Sequence, residues 1–166
     1  MRDRRQSADL ASHSKRWIAA PGKQELGMSI VQVSFPSEEW LNALHVKLNA
    51  DGRYAVIARA WEGEIFFNVR PDAVLHEPLS MYLDLWHGTC RGVLYAVPLE
   101  KLPAPKFVLT SAYGNFAAVL KGELHPMTAM MTSKLKVDGN LAYMMRNVPT
   151  VLDFVRCARE ITGEVL

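Results

Sequence analysis

From residue 37 onward the chain passes through a series of segments with distinct hydrophobic periods. In "SEEWLNALHVKLN", Leu41, Leu44 and Leu48 recur at helical spacing with Trp40 beside them. Ser37 stands where a helix is capped, and Glu38 and Glu39 fall in the first turn, where the helix dipole favours carboxylates. A helix is predicted there, stopping over Asn49 to Gly52. The next runs, "RYAVIARAW" and "EIFFNVR", are rich in β-formers and meet at Glu62-Gly63, which predicts an antiparallel hairpin. In the second run Ile65, Phe67 and Val69 share one face, and Phe66, Asn68 and Arg70 the other. Residues 71–90 are broken by Pro71 and Pro78; within them "LSMYLDLWHG" fits a helix with Leu79, Tyr82, Leu83 and Trp86 on one stripe.

Strands are predicted at "GVLYAV" (Gly92–Val97) and "KFVLTS" (Lys106–Ser111), separated by a proline-containing loop. "YGNFAAVLKG" spaces Phe116, Val119 and Leu120 as a helix does, with Gly122 as its stop. Pro126 suits the first turn of a helix ending near Ser133, and "KLKVDG" reads as a short strand with Leu135 and Val137 on one side. Helical pieces follow at Leu141–Arg146 and after Pro149. In the last one Val151, Phe154, Val155, Ala158, Ile161 and Val165 form the apolar stripe, opposite Asp153, Arg156, Arg159 and Glu160. Strands in hairpin order followed by helices predict an α+β domain, one mainly antiparallel sheet with helices over one face.

The chain of 166 residues suits one domain with a real core. Its net charge of +2 is unevenly placed: residues 1–27 carry six basic and three acidic side chains, so the remainder is close to neutral. A folded part without a basic stripe argues against nucleic acid as a partner. Residues 1–27 combine Ser, Pro and Gly with scattered charge and no amphipathic period, the composition of a disordered extension, and Met28 is an alternative start. The domain is therefore expected over 28–166. Cys90 and Cys157 have no CxxC or Cys/His ligand spacing; they are read as reduced thiols of a cytoplasmic protein, with no structural metal. No apolar run approaches the roughly 20 residues of a membrane span.

Catalytic signatures are missing from the sequence: it has no GxSxG elbow, P-loop, HExxH or dinucleotide fingerprint. His76 and His87, with Glu77 and Asp84 near them, are the only grouping from which an acid–base or metal site could be assembled, and exposed loop histidines need no such role. No enzyme activity, cofactor or metal is expected.

The stretch "MTAMMTSKLKVDGNLAYMM" (Met127 to Met145) holds five of the eight methionines. Met127, Met130 and Met131 share a helix face, but one MxxM without histidine or cysteine makes a poor copper site. Spacing alone leaves two readings open: filler in an irregular core, or the deformable lining of a binding cavity. At these residues the sequence resembles the sterol-carrier-protein-type lipid-binding domains (the type 2 sterol carriers and their bacterial and archaeal relatives). The resemblance rests on His125-Pro126, then Thr128-Ala129-Met130-Met131, then Ser133-Lys134-Leu135-Lys136-Val137-Asp138-Gly139-Asn140. "LNADGRYAVIARAWEGEIFFNV" and "FVLTSAYGNFAAVLKGELHP" are similar to the segments that precede this motif, and the likeness spans about 36–162. Departures are Ser133 for the family's glycine, Thr132 for a frequent glutamine, and His125 for Asp or Asn before the proline; residues 71–90 match poorly.

The resemblance implies a five-stranded mixed, mainly antiparallel sheet with helices enclosing an apolar tunnel, and non-catalytic binding or transfer of a lipid: fatty acyl, sterol-like or isoprenoid. The lining it implies is Met130, Met131, Thr132, Leu141, Met144 and Met145, with Phe67 from the sheet and Leu152 or Val155 from the last helix. Partners implied are a long-chain lipid or other hydrophobic small molecule, transient contact with a membrane surface, and, as the alternative role, a lipid-metabolising enzyme to which this chain presents a lipid or quinone-type substrate. Lys134 and Lys136 are expected on a solvent-facing strand edge.

Overall fold

The computed structural model describes residues 32–166, so the expected extension over 1–27 lies outside the described residues. Helix α1 (Glu38–Ala50) begins as its sequence predicts. The Ser37 hydroxyl accepts from the Trp40 N–H at 3.0 Å, and Trp40, Leu41, Leu44 and Leu48 are buried on one side. Asp51 ends α1 and caps the next helix, its carboxylate accepting from the Tyr54 N–H at 2.9 Å.

That second helix, α2 (Gly52–Ile57), corrects the expected hairpin. The β-formers of "RYAVIARAW" are overruled by the Asp51 cap and by burial of Tyr54 and Ala58, one helical turn apart. Strand β2 (Ile65–Arg70) finds its antiparallel partner in β3 (Leu79–Trp86), so "LSMYLDLW" is a strand and not a helix. Met81, Leu83 and Leu85 are its buried positions, a period of two. The hairpin lies one strand later, between β3 and β4 (Thr89–Tyr95). His87 and Gly88 form its turn at φ 50° and 79°, the two positive values that match the twist of paired strands.

Strand β5 (Phe107–Ala112) runs parallel to β2, and β6 (Lys136–Asp138) pairs antiparallel with β5. The sheet order is β4-β3-β2-β5-β6, five strands and mixed. One parallel pairing among antiparallel ones follows from the long connection between β4 and β5, which returns the chain to the other side of β2. Ile65, Val69, Met81, Leu83, Phe107 and Leu109 project into one core with the buried faces of the helices.

After β5 come α3 (Tyr113–Lys121), α4 (Pro126–Met131), α5 (Leu141–Arg146) and α6 (Val148–Ile161). Gly122 closes α3 in the left-handed conformation at φ 79°, and Pro126 opens α4, as their sequence positions predict. Two expectations about the last helix are corrected. Val165 belongs to β7 (Thr162–Val165), which pairs parallel with β1 (Val33–Phe35). Asp153, placed by pattern on the polar side, is 3% exposed because Arg156 and Arg53 meet its carboxylate at 2.8 and 3.3 Å. Among the described residues no helix is long and apolar enough to cross a membrane.

Candidate hydrophobic ligand site

Between the sheet and the helices lies a partly open cavity lined almost wholly by apolar side chains. Its wall on the sheet side is Ile65, Phe67, Leu85 and Leu109, all on the pleat that faces the helices. Helix α3 contributes Phe116 and Val119, and α6 contributes Val151, Phe154 and Val155. These are the apolar stripes that the helical spacing picked out, brought over the same part of the sheet. The Phe67 ring meets Phe116 edge-on at 5.9 Å and stacks with Phe154 at 6.1 Å, and all three are partly buried.

The methionine segment supplies one wall. Pro126 fixes the start of α4, the His125 ring nitrogen accepts from the Met127 N–H at 3.2 Å, and Met127, Ala129 and Met130 turn inward. Ser133 then takes φ 60°, a left-handed conformation that glycine adopts freely, which accounts physically for the glycine in the family pattern. The Leu135 N–H donates to Ala129 O at 2.9 Å, which brings the chain back into β6. At Gly139, φ is 133° and a Cβ would lie 2.5 Å from Lys106 O, so this close approach of β6 to β5 admits no side chain. Asn140 caps α5 by accepting from the Tyr143 N–H at 3.0 Å, and Met144 reaches the cavity.

Of the residues implied as lining, Phe67, Met130, Met144 and Val155 border the cavity. Met131, Thr132, Leu141, Met145 and Leu152 do not; each is exposed, Met131 to 73%. The division runs through neighbours: Met130 and Met144 point in, while Met131 and Met145, each about 100° further round its helix, point out. Lys134 and Lys136 are exposed beside the strand edge. Tyr54, Trp61 and Thr150 also line the cavity and were missed, the first two because their segment was read as a hairpin strand.

Among the described residues no charged side chain borders the cavity. His87 pairs with Glu62 at 2.7 Å outside the lining set, and both are about half exposed. Burial pushes the Cys90 thiol up to about 12 and the Cys157 thiol up to about 11, so neither supplies a thiolate nucleophile near neutrality. Asp51, Asp153 and Cys157 bring possible ligand atoms within 4.8 Å of one another. Their surroundings are already cationic, however. Arg156 donates to both aspartates, Lys47 bonds Asp51 at 3.1 Å, and Arg156 holds the Asp51 carboxyl far below the ordinary carboxylate range. This cluster is an ion-pair network joining α1, α2 and α6.

A family model described as the SCP-2 sterol transfer family matches residues 41–151. The chain belongs to this family. A crystal structure of sterol carrier protein 2 is 32% identical with a TM-score of 0.68, covering 76% of this chain and 98% of that one. The solution structure of a conserved hypothetical protein of Thermus thermophilus, itself described as possibly a sterol carrier protein, is 30% identical with a TM-score of 0.68, covering 82% of this chain and 92% of that one. The apo form of sterol carrier protein 2 from Yarrowia lipolytica shares the fold at 22% identity and a TM-score of 0.52, covering 75% of this chain and 93% of that one. No curated protein matches the sequence.

Proposed function

We propose that this SCP-2 family member binds a long-chain lipid in the cavity between sheet and helices and carries it, without catalysis, through the cytoplasm. The observation that carries this reading is the lining: apolar side chains from both layers border the cavity, with no charge among the lining residues described. Burying each methylene contributes ~0.8 kcal/mol, so an acyl chain of about fifteen carbons offers ~12 kcal/mol gross. Ordering and association costs of several kcal/mol leave binding that is firm but reversible, as a carrier requires. Methionines at 130 and 144 suit this role because an unbranched thioether repacks around ligands of different shape.

Native mass spectrometry of the purified protein, followed by organic extraction, is the direct test. A co-purifying long-chain lipid released on denaturation is expected. Its absence, together with no uptake of fluorescent fatty acids or other lipids, overturns the reading. The pair Met130 and Met131 gives a sharper check. Met130→Asp places a carboxylate in the cavity wall and is expected to abolish lipid uptake. Met131→Asp, one residue away and facing solvent, is expected to leave uptake within about twofold, as surface substitutions usually do.

A further inference from the structure

Burial divides the cavity wall. Lining side chains of the sheet, α2, α4 and α5 are buried except Phe67, whereas Phe116 and Val119 of α3 and Val151, Phe154 and Val155 of α6 are only half-buried. The cavity therefore opens to solvent between α3 and α6. At that opening the α6 stripe changes chemistry. Val151 and Val155 line the cavity at i and i+4, and the next position of the series, i+8, is Arg159. Helical rise carries it about 6 Å beyond Val155, outside the apolar wall. The sequence pattern set Arg159 on the polar side of α6, but its side chain reaches across to α3, where Nε and Nη2 donate to Val119 O at 3.0 and 2.8 Å. Val119 is itself a lining residue, so the guanidinium lies on the rim of the mouth.

Capping α3 in this way uses one edge of a planar fork. The other edge, one N–H each of Nη1 and Nη2, donates to no described residue, and Arg159 is exposed and makes no ion pair with any described carboxylate. Other cations around α6 are committed: Arg156 to Asp51, Asp153 and Glu160, Arg53 to Asp153, and Lys47 to Asp51 and Glu160. Lys121 and Glu123, exposed on either side of Gly122, offset each other in charge.

We infer that Arg159 receives the head of the bound lipid: the open edge of its guanidinium pairs with the carboxylate of a long-chain fatty acid, whose hydrocarbon lies in the cavity and whose head emerges between α3 and α6. This inference rests on the lipid-binding reading above and adds to it a ligand class, an orientation and a residue. The wall itself fixes the orientation. It offers no charged partner among the described residues, so a carboxylate drawn inside would be desolvated with nothing to offset the cost. At the mouth the same carboxylate keeps water on one side and meets two parallel N–H donors on the other, the geometry in which guanidinium binds carboxylate best. The bond to Val119 O holds the fork in place before the ligand arrives, so little side-chain freedom is lost on binding.

The test compares palmitate and hexadecanol as competitors of a neutral fluorescent apolar dye, in the wild-type protein and in Arg159→Gln, whose amide can still donate to Val119 O. Arg159→Gln is expected to weaken palmitate about tenfold, the scale of a charge-assisted hydrogen-bonded pair, and to leave hexadecanol within about twofold. Unchanged palmitate affinity overturns the assignment. So does an equal loss for both ligands, which would mark Arg159 as a cap of α3 and nothing more. A second readout follows the carboxyl carbon of labelled palmitate by NMR as pH is lowered. A nearby cation favours the ionised form, so bound palmitate is expected to titrate at lower pH in the wild type than in Arg159→Gln, and identical titrations overturn the assignment. In each of these outcomes the cavity still binds lipid and the broader reading stands. Binding of hexadecanol but not palmitate by the wild type overturns the ligand class alone, whereas binding of neither makes both readings fail together.

Discussion

Ser133 sits at the hinge between the inward-facing α4 and the edge strand β6, at φ 60°. An L-residue in this conformation costs roughly 1–2 kcal/mol, and glycine avoids the cost while giving back part of the gain through its freer unfolded chain. Ser133→Gly is therefore expected to stabilise the protein by about 0.5–1 kcal/mol, read as a higher urea midpoint at unchanged slope. The Ser133 side chain is exposed and borders no part of the cavity, so lipid uptake should not move. At the same scale the site is divided residue by residue. Met130 and Met131 are chemically alike and adjacent, and their roles differ only because one projects into the cavity wall and the other into solvent.

Among the elements, the β3–β4 hairpin illustrates how a turn and a helix are specified together. Gly88 has φ 79°, and a Cβ there would approach Ala55 O of α2 to 2.5 Å. The turn that ends β3 thus presses on the helix that carries Tyr54. Gly88→Ala adds left-handed strain to a backbone clash and is expected to cost at least about 2 kcal/mol. Urea denaturation measures this, and a loss below about 0.5 kcal/mol would show that the hairpin does not pack on α2 as described. The elements that were legible in sequence carry local signals: the Ser37 cap of α1, the Gly122 stop of α3, the Pro126 start of α4. Those misread lacked one. Tyr, Val, Ile and Trp in 53–61 favour a strand by composition, and the cap that makes them helical is an Asp51 shared with the preceding helix. In 79–86 the apolar residues suit either period, and only pairing with β2 on one side and β4 on the other selects the strand.

Over the whole molecule, α1, α2 and α6 are held at one end by an ion-pair network with a defined pH dependence. Hydrogen bonds from Arg156 hold Asp51 far below its ordinary 3.8, and hydrogen bonding to Lys47 lowers Glu160 from its ordinary 4.5. Groups whose folded pKa is depressed contribute fully above their unfolded values and lose that contribution as pH falls through the folded ones. Stability is expected to be level near neutrality and to decline below about pH 4.5, with the loss continuing toward the much lower folded value of Asp51. On the basic side, burial opposes the charge of Lys47, but its bonds to Glu160 and Asp51 prevail and raise it above 10.5. Its contribution is complete below that value and lost as pH rises through the raised one. Thermal unfolding across pH in Arg156→Met checks the assignment: the acid-side decline should flatten, because Asp51 then titrates nearer its ordinary value. An unchanged acid limb would place the dependence elsewhere.

By itself the sequence determined the α+β class, the helices α1 and α3 to α6, strands β2, β4, β5 and β6 in their main parts, and the family motif from His125 to Asn140, because capping, hydrophobic spacing and a glycine or proline at a boundary act over a few residues. It also reached four of the residues that border the cavity, Phe67, Met130, Met144 and Val155. Tertiary structure alone decided the rest. Which methionine of each adjacent pair faces inward depends on the roll of a six-residue helix against its neighbours, and a single residue changes that by about 100°. The parallel pairings of β2 with β5 and of β1 with β7 are contacts between distant segments, with no local trace, and pairing with β2 and β4 decided between the two periods that 79–86 fits. Tyr54 is the clearest instance: it joins the cavity wall only once α2 has folded over the sheet.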